Sequence, residues 1–175
     1  MSPISIETER LYLRTLTQAD AALAHNYDKN EYQTLEDARK WIRWAHKAGK
    51  KERKPFVYFY VWLRQTGQHI GRVYIHKKPE LDGEIEIGYG IAEEHRCNGY
   101  ATEDAQAAVR FAFEQAGQEV LCAIVKPENI ASRRVIEKLG FAPRGKRMVL
   151  DDDGVTREFD YFKLRKEEWR SLSEK

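Results

Sequence analysis

The stretch Glu94–Ala105, "EHRCNGYATEDA", decides how this chain is read. Gly99 ends a loop that carries Arg96, and a helix-forming run starts directly after it. A helix N-terminus offers unpaired amides and the positive end of a dipole, so it can hold an anion without a metal. Gly99 permits positive φ and close approach of a ligand, Asn98 tolerates such conformations, and Ala101 keeps the first turn clear. No Gly-Lys-Ser/Thr ending follows, which excludes a Walker loop, and a single glycine excludes a dinucleotide fingerprint. Taken alone, the loop reads first as an ordinary glycine ahead of an ordinary helix.

The preceding run, Gly83–Ala92, shifts that balance. At period two, Glu84, Glu86, Gly88 and Gly90 share one face, and Ile85, Ile87, Tyr89 and Ile91 share the other. Two glycines weaken a strand unless something approaches its backbone closely. One face therefore reads acid, acid, bare, bare, and leads straight into the anion loop. The plainer alternative is a half-exposed strand with solvated glutamates.

Outward from this centre the elements follow by pattern. Arg10–Leu16 alternates as a strand, with Leu11, Leu13 and Thr15 on one side. Thr17 heads a helical stretch containing Ala21, Ala22 and Leu23. Thr34 and Asp37 form a cap for a second helix whose face carries Leu35, Ala38, Trp41, Ile42 and Ala45. Residues 55–77 are aromatic and β-branched, and Gln65–Gln68 breaks them into a hairpin. The helix after the loop, residues 98–117, aligns Ala101, Ala105, Ala108, Ala112 and Phe113. Residues 119–126 read as a buried strand, and 129–140 as a helix with Asn129 as cap and Gly140 past its end. Arg147–Leu164 predicts two strands around an Asp-Gly turn, and residues 166–172 a short tail helix. The order predicts one α/β (α+β) domain over residues 1–175, with a central mixed, mostly antiparallel sheet of about seven strands flanked by helices. The crossover from Gly83 to Lys126 should be parallel.

Composition narrows the function. A formal net charge of +2 gives no global field for nucleic acid, and the two cysteines, Cys97 and Cys122, exclude a disulfide scaffold and a cysteine-based zinc site. The spacing of the five histidines fits no metal motif. His95 beside the loop reads as solvated rather than as a phosphate ligand. No apolar run is long enough for a membrane span, and no signal core opens the chain, so the expected location is cytoplasmic. The basic run Lys47–Lys54 reads as a solvated helix end and loop, with an acidic partner as the alternative. Trp41, Trp44, Tyr58, Tyr60 and Trp62 divide between core and a candidate substrate cleft.

"EIGYGI", "RCNGYATEDA" and "VKPENIASRRVIEKLGF", taken in order, resemble the acetyl-coenzyme A-binding core of the GNAT N-acetyltransferases. "IETERLYLRTLTQAD" and "DYFKLRKEEW" are similar to the RimJ/RimL-like branch, the ribosomal-protein acetyltransferase type. Residues 27–65 are the least recognisable part. The family loop is Gln/Arg-x-x-Gly-x-Gly/Ala, matched by Arg96, Gly99 and Ala101. The resemblance implies a GNAT fold whose splayed parallel strands form the acetyl-CoA cleft. It implies that the amides of Arg96, Cys97, Asn98, Gly99, Tyr100, Ala101 and Thr102 hold the pyrophosphate, and that Tyr89, Gly90, Ile91 and Ala92 hold the pantetheine. Asn129 and Ser132 would face the pantetheine and thioester. Relatives often carry glycine and a cation where this chain has Cys97 and Asn98, which implies weaker binding. Many GNAT enzymes place a tyrosine where this chain has Ile136; Ser132 fits the nearby role that the branch uses.

The implied reaction is acetyl transfer to a primary amine in a ternary complex. Glu86 is the first candidate for general base, directly or through a water, and Glu84 the second. The other role open to Glu86 is to order a water or bind the substrate ammonium. A strand amide near Tyr89–Ile91 would meet the oxyanion, and Ser132 the departing sulfur. An acyl-Cys97 intermediate is not favoured, because no histidine lies beside it in motif position. The expected partners are acetyl-CoA and an amine acceptor, either a protein N-terminus or a small amine such as a polyamine or an antibiotic. No metal, membrane or nucleic acid is expected, and a homodimer is an open assembly. The rival reading is a non-catalytic acyl-CoA sensor.

Overall fold

The computed structural model describes residues 3–29, 31–49, 56–151 and 153–173. Along the chain lie β1 (Ser5–Glu7), β2 (Leu11–Arg14), α1 (Ala21–Tyr27), α2 (Leu35–Ala48), β3 (Val57–Leu63), β4 (His69–Lys78) and β5 (Glu84–Ile91). They are followed by α3 (Tyr100–Glu114), β6 (Val120–Val125), α4 (Ile130–Lys138), β7 (Ala142–Leu150), β8 (Thr156–Arg165) and α5 (Lys166–Ser173). The strands form one sheet in the order β1-β2-β3-β4-β5-β6-β8-β7. Every neighbouring pair is antiparallel except β5 and β6, which are parallel, as the crossover through α3 requires.

Three boundaries differ from the pattern reading, each for a local reason. The sheet has eight strands because the three-residue β1 pairs with β2, Ile6 opposite Leu13; β1 is too short to show a period. β7 starts at Ala142 rather than Arg147, and Pro143 conceals this. Proline is tolerated there because β7 is the edge strand and its ladder is irregular between Pro143 and Lys146. α3 starts directly after Gly99, a left-handed cap residue with φ of 80°, but ends at Glu114 rather than at Gly117, which itself has φ of 65°.

The main core lies between one face of the sheet and the helices α3 and α4. Ala105, Ala108 and Ala112 are fully buried, and these small side chains let α3 lie close to the strands. Phe113, also fully buried, contributes about 1.5–3 kcal/mol from the same helix. On the opposite face, α1 and α2 cover Tyr60 through Ala24, Ala38 and Ile42. The Thr34–Asp37 box caps α2 with reciprocal hydrogen bonds of 3.1 Å. Leu35, expected on the buried face of α2, is 43% exposed. Tyr60 and Trp41 serve this second core while Trp44 faces solvent, so the aromatic run divides as its alternation required. Of the basic run Lys47–Lys54, positions 50–54 lie outside the described residues.

Candidate active site

The centre of the molecule is where β5 and β6 part. The two strands share one register pair, Glu86 opposite Cys122. Beyond it, the edge of β5 over Ile87–Ile91 has no ladder to β6. A cavity of about 130 Å³ opens at this split, bounded by Glu86, Gly88 and Tyr89 of β5, Ile124 of β6, and Ser132 and Ile136 of α4.

The period-two reading of β5 assigned its faces correctly. Ile87 and Ile91 enter the core beneath α3, whereas Glu84 and Glu86 meet side chains on the other face. Glu86 is 4% exposed. Its Oε2 accepts from His76 Nε2 at 3.2 Å and lies 3.4 Å from Lys78 Nζ. Glu84 is committed elsewhere: Lys163 donates to its Oε1 at 2.5 Å and Tyr161 donates to its Oε2. Burial works to raise the Glu84 pKa, but the hydrogen bonds from Lys163 and Tyr161 outweigh it and hold the carboxyl below the usual range. Glu84 is thus fixed as an anion against β8 and does not line the cavity. Gly88 has a reason the sequence hid: a Cβ there would overlap the ring of Tyr74, its partner on β4.

On the other side of the split, Tyr89 and Ser132 form a pair. The Tyr89 hydroxyl lies 3.0 Å from both Ser132 Oγ and the Ser132 carbonyl. Burial, partly opposed by the Ser132 hydrogen bond, pushes the Tyr89 pKa up to about 12, so it stays a proton donor at neutral pH. Asn129 caps α4, its Oδ1 accepting from the Ser132 amide at 3.0 Å, and thereby fixes the turn that carries Ser132. Ile136, 1% exposed, closes the cavity floor where it can donate nothing.

Beyond β5, the loop forms a cradle at the head of α3. The amides of Cys97, Asn98, Gly99, Tyr100 and Ala101 have no acceptor among the described residues, whereas Thr102 and Glu103 already bond the Gly99 carbonyl. Arg96 turns back, its Nε donating to the Ile91 carbonyl at 3.1 Å, and ties the loop to the end of β5. The Asn98 side chain donates to the carbonyls of His95 and Arg96, so it holds the loop rather than reaching for a ligand. Cys97 is exposed with a φ of 62°, which explains why glycine suits this position. Cys97→Gly should therefore raise stability by about 0.5–1 kcal/mol, the relief of the left-handed backbone outweighing the added freedom of the unfolded chain. A thermal melt that moves down rather than up would contradict this.

Arg10, not identified from the sequence, reaches the cradle from the start of β2. Its Nη1 donates to the Asn98 carbonyl at 2.9 Å, its Nε to Glu103 at 2.7 Å, and its guanidinium lies 4.7 Å over the Tyr100 ring. A cation thus stands beside the cradle although position 98 lacks one. His95, expected to be solvated, has its Nε2 buried without a hydrogen-bond partner. Cys122 is 1% exposed and burial pushes its thiol up to about 12, as suits a packing residue. Among the described residues, no group of three or more His, Cys, Asp or Glu is placed to hold a metal, and no helix is long and apolar enough to cross a membrane.

On the face that carries Glu86, the carboxylates are already paired. Arg72 lies 3.5 Å from Asp28 and 3.4 Å from Glu31, with its guanidinium 5.4 Å from the Tyr27 ring centre. Around them Tyr58 and Tyr74 stack at 4.9 Å, and Trp41 meets Tyr58 edge-on at 5.2 Å.

The sequence and the fold both have known relatives. The acetyltransferase (GNAT) domain family matches residues 10–142. The chain is 30% identical over 155 residues to the uncharacterized N-acetyltransferase YoaA of Bacillus subtilis (strain 168), covering 83% of this chain and 86% of that protein. Among solved structures, the ribosomal-protein-S5-alanine acetyltransferase from Vibrio fischeri superposes with a TM-score of 0.80 at 18% identity, over 95% of this chain and 98% of that one. A mutant of the spermidine N-acetyltransferase SpeG from Vibrio cholerae gives 0.72 at 20% identity, over 95% and 99%. With an extended family match and a relative of similar length, the cradle, the split and the paired hydroxyls have one common explanation: the chain belongs to the GNAT acetyltransferase family and is an acyltransferase.

Proposed function

We propose that this acetyltransferase moves the acetyl group of acetyl-CoA directly to a single primary amine, either a protein or peptide N-terminus or a small monoamine. The observation that carries the reading is the shared cavity: Glu86 on one side of the split, the Tyr89–Ser132 pair on the other. An alkyl ammonium is not nucleophilic until it loses a proton. Glu86 takes that proton, directly or through a water. The amine nitrogen then attacks the thioester carbon, and a β5 amide near Tyr89–Ile91 meets the oxyanion. As the carbon–sulfur bond breaks, the Tyr89–Ser132 hydroxyls give a proton to the thiolate and recover one from the attacking nitrogen, which sheds it as the amide forms, so the proton on Glu86 is the one released overall. The cradle amides from Cys97 to Ala101, with Arg10 beside them, take the pyrophosphate; those of Arg96 and Thr102, expected to join them, already bond the Glu93 and Gly99 carbonyls. The pantetheine follows the unladdered edge of β5 from Tyr89 to Ala92, with Asn129 and Ser132 across the cleft.

A monoamine is favoured over a polycation because Asp28, Glu31, Glu84 and Glu86 all carry cationic partners. A polyamine would have to displace them. A free-thiol release assay with acetyl-CoA against N-terminal peptides, polyamines and aminoglycosides tests this. Peptides or monoamines should be turned over best, and spermidine as the best acceptor would overturn the preference. Glu86→Gln should lower kcat by about 100-fold or more, with acetyl-CoA affinity unchanged within about twofold. No thiol release with any acceptor, alongside intact coenzyme binding, would favour a sensor instead.

A further inference from the structure

His76 and Tyr58 form a chain behind Glu86 that the reaction as described does not use. Glu86 has two oxygens, and its protein contacts go to one of them. Oε2 receives both His76 Nε2 at 3.2 Å and Lys78 Nζ at 3.4 Å, while Oε1 has no protein partner among the described residues. On its far side, His76 Nδ1 meets the Tyr58 hydroxyl at 2.9 Å. Burial raises the Tyr58 pKa, so this hydroxyl keeps its proton and donates it to Nδ1. That bond fixes the tautomer with hydrogen on Nε2, the one able to donate to a carboxylate. Tyr58 is itself fixed by Tyr74 stacked at 4.9 Å and Trp41 at 5.2 Å.

We propose that His76, braced by Tyr58, is a positioning residue that pins Oε2 of Glu86, aims Oε1 at the acceptor amine, and makes turnover depend on its own charge. This rests on Glu86 being the base. With a neutral imidazole, one cation, Lys78, contacts Oε2 and the carboxylate accepts a proton on Oε1. With an imidazolium, two cations flank the same carboxylate, and the carboxylate gives up its charge less readily. Replacing the ring by a side chain that cannot gain a charge should therefore alter the acid limb of the rate profile. The groups facing this chain are Tyr58 on β3, Tyr74 and Lys78 on β4, Glu86 on β5 and the Cys122 thiol on β6; Trp41 and Phe56 face it with apolar rings. Glu31 and Arg72 act on it at one remove, through Tyr58.

The test uses the full chain and the best acceptor from the thiol-release panel. Glutamine at position 76 retains a donor for Oε2 and cannot titrate. His76→Gln should keep kcat within about threefold at pH 8 and shift the acid limb of kcat/KM to lower pH. His76→Leu, which removes the donor, should lower kcat by about 10–100-fold with acetyl-CoA Kd unchanged within about twofold. Thermal melts of both variants establish that they are folded. A His76→Gln profile that superposes on wild type, or a His76→Leu kcat equal to wild type, overturns the proposal while leaving the base role of Glu86 intact. A fully active Glu86→Gln removes the base role itself, and a panel with no acceptor removes both.

Discussion

Gly99→Val should abolish detectable acetyl-CoA binding, a loss of at least about 100-fold, in a protein that remains folded. Two effects add. Gly99 sits at φ of 80°, where a branched side chain is strained by about 1–2 kcal/mol, so the first turn of α3 must shift to relieve it. A Cβ there would also lie 3.3 Å from Arg10 Nη2, amid the five unpartnered amides of the cradle, so the branched methyls would fill the space meant for phosphate. Asparagine tolerates the left-handed region, so Gly99→Asn separates the effects: it should retain the helix start and lose affinity through bulk alone. Titration calorimetry with acetyl-CoA, beside a thermal melt, reads both. Wild-type affinity in Gly99→Val would dismiss the cradle as the pyrophosphate site.

How much of this was legible in the sequence follows from range. Signals confined to a few residues came through. Period two in β5 separated Glu84 and Glu86 from Ile87 and Ile91, the Thr34–Asp37 cap located α2, and Gly99 marked the start of α3. Contacts between distant segments did not. Arg10 reaches Asn98 and Glu103 from 88 and 93 positions away, and neither local pattern hints at it. Gly88 was read as an opening for a ligand, yet Tyr74 lies over it from the next strand. His76 carried no motif; its meaning arises from the pairing of β4 with β5, which puts it opposite Glu86.

The paired chemistry also explains how one buried carboxylate can serve while its neighbour cannot. Glu84 and Glu86 share a strand, a face and a residue type, and a sequence ranks them only by position. Lys163 and Tyr161 occupy both oxygens of Glu84. His76 and Lys78 share one oxygen of Glu86, and no hydrogen bond engages the other among the described residues. The difference between an anchor and a candidate base is thus which oxygens the surrounding strands engage.

Asp104→Ala should stabilise the protein, by an amount that grows with pH. Asp104 lies on the face of α3 that carries Ala101, Ala105 and Ala108, so helical spacing alone sends it inward, although its residue type suggests solvent. It is fully buried and neither carboxylate oxygen has a hydrogen-bond partner. Burial raises its pKa well above the ordinary carboxylate range; the Ala105 amide opposes this only in part, and the Glu103 charge adds to it. Asp104 lies past the first turn of α3, where the dipole effect has fallen off, so desolvation dominates. The sign follows from linkage. Below the unfolded pKa, near about 3.9, the side chain is protonated in both states and its ionisation has no effect on stability. As pH rises, the unfolded chain ionises and the folded one does not, so stability falls by about 1.4 kcal/mol per pH unit until the folded pKa is reached. Alanine removes this loss and the unpartnered oxygens with it, and it is the best helix former. The gap in melting temperature should be smallest around pH 3.5, where only the unpartnered oxygens and helix propensity count, and widen toward pH 7, by about 2–4 °C for each kcal/mol in a chain of this size. Asp104→Asn should show the same divergence with a smaller gain at every pH, because its amide stays buried without partners. Melting curves for wild type and Asp104→Ala that stay parallel across this range would mean that Asp104 is ionised in the folded protein and paired with a group that compensates it.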